Sequence, residues 1–210
     1  MPTGSASPPA GTINYLALGD SYTSGEGAAV ADRWPVQLAV QARTQGLSFA
    51  DPDIIARTDW TTAELQAAIA GSGNHRTDYG LVSLLIGVNN QYRGQSIATY
   101  KTEFRQLLAT AAVFTGGRTG RVVVLSIPDW GQTPYAAGRD RSRIGQEIDQ
   151  FNAAAQAECQ QAGVAYVDIT PLTRAAAGDA AQFTADGLHY TGAQMRLWAG
   201  QALPVVKSRF

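Results

Sequence analysis

Apolar runs of strand length alternate with longer helical segments along most of the chain. Residues 81–86 form a continuous apolar run, which is typical of a strand buried on both faces of a parallel sheet. Residues 121–127 contain Val-Val-Val-Leu, the clearest strand in the sequence. The pattern predicts five strands, at residues 13–18, 53–56, 81–86, 121–127 and 165–169, and five main helices, at residues 34–43, 62–71, 97–114, 142–162 and 193–202.

This strand–helix alternation implies a parallel sheet with helices on both faces. The predicted fold is therefore α/β: a single three-layer α/β/α domain with a flavodoxin-like, parallel five-stranded sheet. A length of 210 residues agrees with one domain, since domains average roughly 150 residues. We expect residues 1–10, which are rich in Pro, Ser and Gly, to be a disordered leader, and residues 11–210 to be the domain.

The charge balance excludes several classes of partner. Sixteen Lys and Arg against 17 Asp and Glu give a formal net charge of −1, which provides no electrostatic reason to bind nucleic acid or an anionic membrane. The longest apolar stretch, residues 81–88, is interrupted by Ser83 and Gly87 and is far shorter than the ~20 residues of a membrane helix. Residues 1–10 do not read as a signal peptide, so a cytoplasmic location is predicted, or a secreted or periplasmic one if a signal was removed.

Polar residues follow several of the predicted strands. Ligands of open parallel sheets bind at the carboxyl ends of the strands. Ser21 follows the first strand in a glycine-rich turn, Asn89 follows the third, and Asp186 and His189 come after the fifth. A serine, an amide and an Asp-x-x-His pair at one edge are the parts of a nucleophilic hydrolase.

Each of these residue types has a defined chemical use in such an enzyme. A serine hydroxyl is a weak nucleophile and needs a positioned base. His189, one of two histidines, follows Asp186 by three residues, and that carboxylate can orient the imidazole in the useful tautomer. Asn89 can donate a hydrogen bond to a developing oxyanion, a contribution typically worth about 3 kcal/mol of barrier.

Three segments resemble blocks of the SGNH (GDSL-type) hydrolase family, and the resemblance extends from about Gly11 onward. Residues 15–27 resemble the first block, residues 87–90 (Gly-Val-Asn-Asn) the third, and residues 186–189 (Asp-Gly-Leu-His) the fifth. The resemblance implies that Ser21 is the nucleophile, that Asn89 donates to the oxyanion, and that Asp186 and His189 complete a catalytic triad. Asn90 stands where the family usually has aspartate.

The second block departs from the family pattern. Its usual glycine supplies an oxyanion-hole N–H, and residues 57–65 are the counterpart here, with Asp59 at the glycine position. Aspartate retains the N–H and tolerates left-handed backbone geometry. A carboxylate near the oxyanion would repel it unless it is turned away or screened. The implied oxyanion hole is therefore formed by Ser21, Asp59 and Asn89.

The resemblance implies an esterase that works through an acyl-enzyme, without a metal or organic cofactor, on a small-molecule ester. Short-chain acyl or aryl esters are the expected substrates, with O-acetyl groups on carbohydrate as another option. Aromatic residues after the strand ends are candidates for the substrate pocket or for closing the core: Trp60, Tyr92, Trp130 and Tyr135.

Two alternatives remain at this stage. The chain is a non-catalytic small-molecule or carbohydrate-binding module if Asp59 has spoiled the oxyanion hole. Nucleotide binding at residues 19–27 is weaker, because that turn fits neither GxGxxG nor GxxxxGK[ST]. The remaining chemistry-bearing residues are interpreted as structural or solvated: His75 in a polar loop, Cys159 packed in a helix, and Arg139, Arg141 and Arg143 at a solvated helix start rather than a phosphate site.

Overall fold

The computed structural model describes residues 11–210; the predicted leader, residues 1–10, lies outside the described residues. The five strands form one sheet in the order β2-β1-β3-β4-β5, and every neighbouring pair is parallel. This arrangement confirms the predicted fold class. The strands are β1 (Tyr15–Gly19), β2 (Asp53–Ala56), β3 (Leu81–Leu85), β4 (Val122–Leu125) and β5 (Ala165–Val167).

Helices follow each strand and cover both faces of the sheet. The helix α2 packs against α8, whereas α5 packs against α3 and α6, and these two groups are the outer layers. The helices are α1 (Ser21–Ser24), α2 (Trp34–Thr44), α3 (Thr62–Gly71), α4 (Val88–Tyr92), α5 (Ile97–Phe114), α6 (Arg141–Ala162), α7 (Thr170–Ala175) and α8 (Gly192–Lys207).

Burial of the three central strands explains why they are apolar throughout. Every residue of β1, β3 and β4 is buried, because helices cover the sheet on both sides. Full burial of a Leu or Val side chain contributes about 1.5–3 kcal/mol, so these strands provide much of the driving force for folding. Ser83, the polar exception in β3, satisfies its hydroxyl by a 2.9 Å hydrogen bond with Tyr15 Oη.

Local sequence signals fix several element boundaries. Thr61 caps α3, with its side chain accepting from the Glu64 N–H while Glu64 accepts from the Thr61 N–H, which is a capping box. Gly163 ends α6 in the left-handed conformation (φ 66°), a geometry that glycine adopts without steric cost. In residues 11–210, no helix combines the length and apolar character required to cross a membrane.

The strand register brings three strand ends to the same level. Gly19 pairs with Ala56 of β2 and with Leu85 of β3. The connection after β1 runs over one face of the sheet, and the connection that leads into β3 runs over the other. A crevice therefore opens between the loops that follow β1 and β3. Ser21, Asp59 and Asn89 lie in the segments that begin there, whereas Asp186 and His189 come after β5.

Candidate active site

The turn after β1 presents Ser21 at the start of α1. Asp20 caps this short helix by accepting from the Tyr22 N–H at 3.0 Å, and Gly25 ends it in the left-handed conformation. Gly19 is required by close approach: a Cβ there would lie 2.2 Å from Thr23 Oγ1 and 2.5 Å from the Leu85 carbonyl. The turn therefore folds tightly against β3 and leaves Ser21 5% exposed.

Asp20 is a buried carboxyl next to the predicted nucleophile. Its side chain is inaccessible to solvent, and its Oδ2 has no hydrogen-bond partner within residues 11–210. Burial raises the pKa of Asp20 to about 7, against the opposing effect of the Tyr22 N–H. Burial therefore favours the neutral, protonated form of this carboxyl.

The side chains of Asp186 and His189, which are three residues apart in the chain, contact each other at hydrogen-bond distance. His189 Nδ1 lies 2.6 Å from Asp186 Oδ2, which leaves Nε2 as the ring nitrogen available to other groups. The Asp186 Oδ1 accepts from the Leu188 N–H at 2.8 Å, the His189 N–H at 3.0 Å and the Thr184 hydroxyl at 2.8 Å. Partial burial opposes ionisation of Asp186, but these hydrogen bonds outweigh it and hold its pKa well below the usual range.

The loop after β2 contains the one non-glycine residue of positive φ in the described chain. Asp59 has φ 69°, the left-handed geometry that a glycine would adopt without strain. Its carbonyl accepts from Arg93 at 2.5 Å, and Arg93 also pairs with Glu64 at 3.1 Å. Among residues 11–210 the Asp59 N–H has no hydrogen-bond acceptor, so it is free to bind a ligand.

Asn89 and Asn90 have different positions although they are neighbours on α4. Asn89 Nδ2 donates to the Trp60 carbonyl at 3.0 Å, which fixes its amide beside the Asp59 loop. Asn90 is fully buried; it accepts from the Thr62 N–H at 3.1 Å and donates to the Thr62 hydroxyl at 2.6 Å. Asn90 therefore joins α4 to the start of α3, which is a structural task.

One cavity of about 160 Å³ brings the predicted residues together. Ser21, Asp59, Asn89 and His189 all line it. In the part of the chain that the structure describes, the Ser21 hydroxyl and His189 Nε2 have no hydrogen-bond partner, so both are available to a substrate. The rest of the lining is mainly aromatic and apolar: Tyr22, Val88, Tyr92, Trp130, Tyr135 and Leu188.

The aromatic residues predicted as pocket candidates do not all lie at the cavity. Tyr92, Trp130 and Tyr135 line the cavity, whereas Trp60 is not part of its lining and packs against the hydrophobic core instead. Sequence reasoning missed Tyr22, Val88 and Leu188. Each of these is the chain neighbour of a motif residue (Ser21, Asn89 or His189), and that adjacency was the available signal.

Cys159 and His75 are not part of the cavity lining. Cys159 is buried, and burial raises the pKa of its thiol to about 12, as expected for a packing residue. His75 is exposed. Across residues 11–210, no group of three or more His, Cys, Asp and Glu side chains converges as metal ligands would.

Comparison with solved structures agrees with this fold. The structure named "TesA" is 19% identical, with a TM-score of 0.70 over 94% of this chain and 99% of that chain. A lipase/acylhydrolase from Enterococcus faecalis is 17% identical, with a TM-score of 0.67 over 94% and 96%. A phospholipase A1 from Streptomyces albidoflavus NA297 is 23% identical, with a TM-score of 0.60 over 94% and 99%.

A search of curated protein sequences found no match. The family model of the GDSL-like Lipase/Acylhydrolase family, in contrast, matches residues 17–197. That match covers most of the chain and includes both the turn after β1 and the Asp186–His189 segment. The chain therefore belongs to the GDSL-like lipase/acylhydrolase family and is a hydrolase of ester bonds.

Proposed function

We propose that the protein is a serine esterase that cleaves short-chain acyl or aryl esters through an acyl-enzyme on Ser21. The observation that carries the proposal is the 2.6 Å contact between His189 and Asp186 at a cavity that Ser21 also lines. A serine, an imidazole with one free nitrogen and a carboxylate on the other nitrogen are the three groups that this chemistry requires.

Each group has one role in the proposed reaction. Ser21 Oγ attacks the ester carbonyl carbon while His189 Nε2 takes the hydroxyl proton. His189 then returns that proton to the leaving alcohol as the acyl-enzyme forms. In the second half-reaction His189 takes a proton from water, which attacks the acyl carbonyl and releases the acid and Ser21. Asp186 orients the imidazole throughout and stabilises its protonated form.

The oxyanion is held by three donors: the backbone N–H groups of Ser21 and Asp59 and the Asn89 amide. The free Asp59 N–H supports this assignment, as does the hydrogen bond that fixes Asn89 to the adjoining loop. Removal of one such donor typically lowers kcat by about 10²- to 10³-fold. We expect that loss for Asn89→Ala.

The cavity favours small acyl or aryl groups. Its volume of about 160 Å³ is below the roughly 300–1,000 Å³ of sites for drug-sized ligands. Aromatic and aliphatic side chains together provide most of the wall, which suits a short chain or a single ring. A long acyl chain would have to extend into solvent and would gain little binding energy from its outer methylenes.

The test is hydrolysis of p-nitrophenyl esters of increasing acyl length by the wild type, Ser21→Ala and Ser24→Ala. The Ser24 variant is the matched control, since Ser24 lies on the same short helix and donates only to the Ser21 carbonyl. We expect turnover by the wild type and Ser24→Ala, highest for short acyl chains, and background rates for Ser21→Ala. Retained turnover in Ser21→Ala would reject the assigned nucleophile.

A further inference from the structure

Three aromatic side chains form a continuous wall on one side of the catalytic cavity; we call Tyr92, Trp130 and Tyr135 the aromatic wall. The ring centroids of Tyr92 and Trp130 are 5.3 Å apart, and those of Trp130 and Tyr135 are 6.2 Å apart. The Tyr92 and Tyr135 hydroxyls meet at 3.1 Å. All three side chains line the cavity that contains Ser21.

The aromatic wall is held in place by buried polar contacts behind it. Trp130 Nε1 donates to Gln91 Oε1 at 2.7 Å, and Gln91 in turn donates to Glu147 at 2.7 Å. Asp129, fully buried, accepts from the Gly131 N–H at 2.9 Å. These contacts fix the position of the indole before any ligand arrives, so a ligand does not have to order it.

A second, larger cleft adjoins the same wall. Its volume is about 750 Å³, and it shares Tyr92 and Trp130 with the catalytic cavity. Its lining mixes polar side chains, including Gln95, Arg139 and Gln150, with apolar ones. An ester held at Ser21 therefore has a second, more polar environment beyond the shared wall.

Arg139 lies against the wall at this junction. Its guanidinium carbon is 4.9 Å from the centroid of Tyr135, 5.3 Å from that of Trp130 and 5.6 Å from that of Tyr92. One of its nitrogens also donates to the Tyr135 hydroxyl at 3.3 Å. Stacking on aromatic faces orients a guanidinium while its outer N–H groups remain available.

Arg139 and Arg141 have no anionic partner among residues 11–210, in contrast to Arg143. Arg143 pairs with Glu147 at 2.8 Å, and Arg141 donates to the Thr133 carbonyl at 3.2 Å. All three arginines are exposed, as the sequence interpretation expects, and Arg139 differs in lying against the aromatic wall.

The carboxylates near this junction form no ion pair with Arg139 among residues 11–210. Asp140, which also lines the second cleft, accepts from the Arg143 N–H at 3.0 Å as the cap of α6. Glu147 is occupied by Arg143 and by Gln91. Asp59 lines the catalytic cavity, and its carboxylate opposes a permanent anionic group of the substrate there. The Arg139 side of the wall is therefore the more favourable place for such a group.

We propose that Arg139 and the aromatic wall form an anion-recognition subsite, and that the preferred substrates are esters with a carboxylate or phosphate group close to the scissile bond. The inference rests on the proposed esterase function and names the substrate class of that site. The ester lies at Ser21, its apolar part contacts the wall, and its anionic group accepts hydrogen bonds from the free N–H groups of Arg139. The anionic group belongs to either the alcohol or the acyl part.

Two pairs of substrates show whether the anionic group belongs to the alcohol part or to the acyl part. Phenyl acetate and 4-carboxyphenyl acetate differ in a charge on the alcohol part; p-nitrophenyl butyrate and mono-p-nitrophenyl succinate differ in a charge on the acyl part. The measured quantity is the ratio of kcat/KM for the charged and neutral ester, divided by the same ratio for Arg139→Gln, so that intrinsic reactivity cancels. We expect this quotient to be about 3- to 10-fold for one of the two pairs, with the difference mainly in KM. The quotient should decrease when NaCl is added.

Arg143→Gln is the matched control, because it removes the same charge from the same cleft but from a residue that is already paired. We expect its charged-to-neutral ratio to stay within about 2-fold of wild type. Equal losses in both variants would overturn the proposal in favour of a general field effect. Ratios near one for both substrate pairs would also overturn it, while turnover of the neutral esters would leave the esterase function intact.

A binding measurement makes the proposal independent of turnover. Calorimetric titration with benzoate and benzamide compares an anion with a neutral molecule of the same shape. We expect benzoate to bind about 3- to 10-fold more tightly than benzamide to the wild type, and equally to Arg139→Gln. Equal affinities for the wild type would reject the subsite. Benzoate selectivity without hydrolysis of any ester would instead retain the subsite and reject the proposed esterase function.

Discussion

The sharpest test of the proposed triad is Asp186→Asn, because the hydrogen bonds fix which way the new amide must point. Oδ1 of Asp186 accepts from the Leu188 N–H, the His189 N–H and the Thr184 hydroxyl, while Oδ2 faces His189 Nδ1. An asparagine keeps the first three contacts only with its oxygen at the Oδ1 position. Its NH₂ group then faces Nδ1 and must donate to it, so the ring proton moves to Nε2. An imidazole protonated at Nε2 cannot accept the Ser21 proton.

The size of the effect follows from two contributions. The reverse orientation of the amide would leave the Leu188 and His189 N–H groups without an acceptor, at about 1–1.5 kcal/mol each, while the Thr184 hydroxyl keeps the His189 carbonyl at 3.2 Å. The unproductive tautomer is therefore favoured by about 30- to 150-fold. Loss of a charged hydrogen-bond acceptor for the imidazolium adds about 1.5–3 kcal/mol, or a further 10- to 100-fold. We therefore expect kcat to fall by about 10³- to 10⁴-fold.

Steady-state hydrolysis of p-nitrophenyl acetate measures this loss, with circular dichroism and a thermal melt to establish folding. Asp179→Asn is the matched control, since Asp179 makes the same kind of contacts, with the Ala181 N–H at 3.0 Å and the Gln182 amide at 2.9 Å, but lies outside the cavity lining. It should retain wild-type kcat. A kcat for Asp186→Asn within tenfold of wild type would refute the orientation argument.

Three further predictions concern the structure around the site. Asp59→Gly should leave kcat/KM for neutral esters unchanged or raise it up to about tenfold, because it relieves a left-handed non-glycine residue and removes a charge beside the oxyanion; a large loss would mean that the carboxylate acts in catalysis. Burial raises the folded-state pKa of Asp20 to about 7, so between about pH 4 and 7 the folded protein holds a proton that the unfolded chain has lost. The free energy of unfolding should therefore fall as the pH rises from about 4 to 7, by at most about 4 kcal/mol. Urea titrations across that range should show a flatter profile for Asp20→Asn. Gly19→Ala should lower the free energy of unfolding by about 3 kcal/mol or more, because its Cβ would lie 2.5 Å from the Leu85 carbonyl. Gly71→Ala, whose Cβ would meet nothing within 4 Å, should raise it by about 0.5–1 kcal/mol in the same urea titrations.

The sequence predicted helix bounds and side-chain contacts correctly where interactions within a few residues determine them. Helix α5 has the predicted bounds, Ile97–Phe114, because a serine cap and a strongly periodic apolar face both lie within the segment. The Asp-x-x-His spacing similarly placed Asp186 and His189 in contact, since three residues within one turn cannot move far apart.

Boundaries that depend on distant partners were less accurate. Strands β4 and β5 end at Leu125 and Val167, before the predicted residues 127 and 169, because side chains replace the sheet ladder there. The N–H of Ile127 donates to the Asn152 side chain at 2.8 Å, and that of Ile169 donates to the Ser126 hydroxyl at 2.8 Å. Side chains from other elements terminate these strands.

Helix α8 shows the opposite error. It runs to Lys207, beyond the predicted end at residue 202, although Pro204 lies inside it. A proline removes one helical hydrogen bond and normally ends a helix. Val206 is fully buried one turn beyond Ala202, and the apolar burial of that last turn offsets the local cost.

The sequence by itself determined the order of strands and helices, the turn that carries Ser21 and the Asp186–His189 pair, because each depends on interactions within a few residues. Only the tertiary structure decided which aromatic residues line the cavity and that Arg139, of three similar arginines, lies against its wall. Arg139 is more than a hundred residues from Ser21 in the chain. Ser21 lines the cavity and Arg139 lies against its aromatic wall because loops from different strands pack at one sheet edge, and no local pattern encodes that packing.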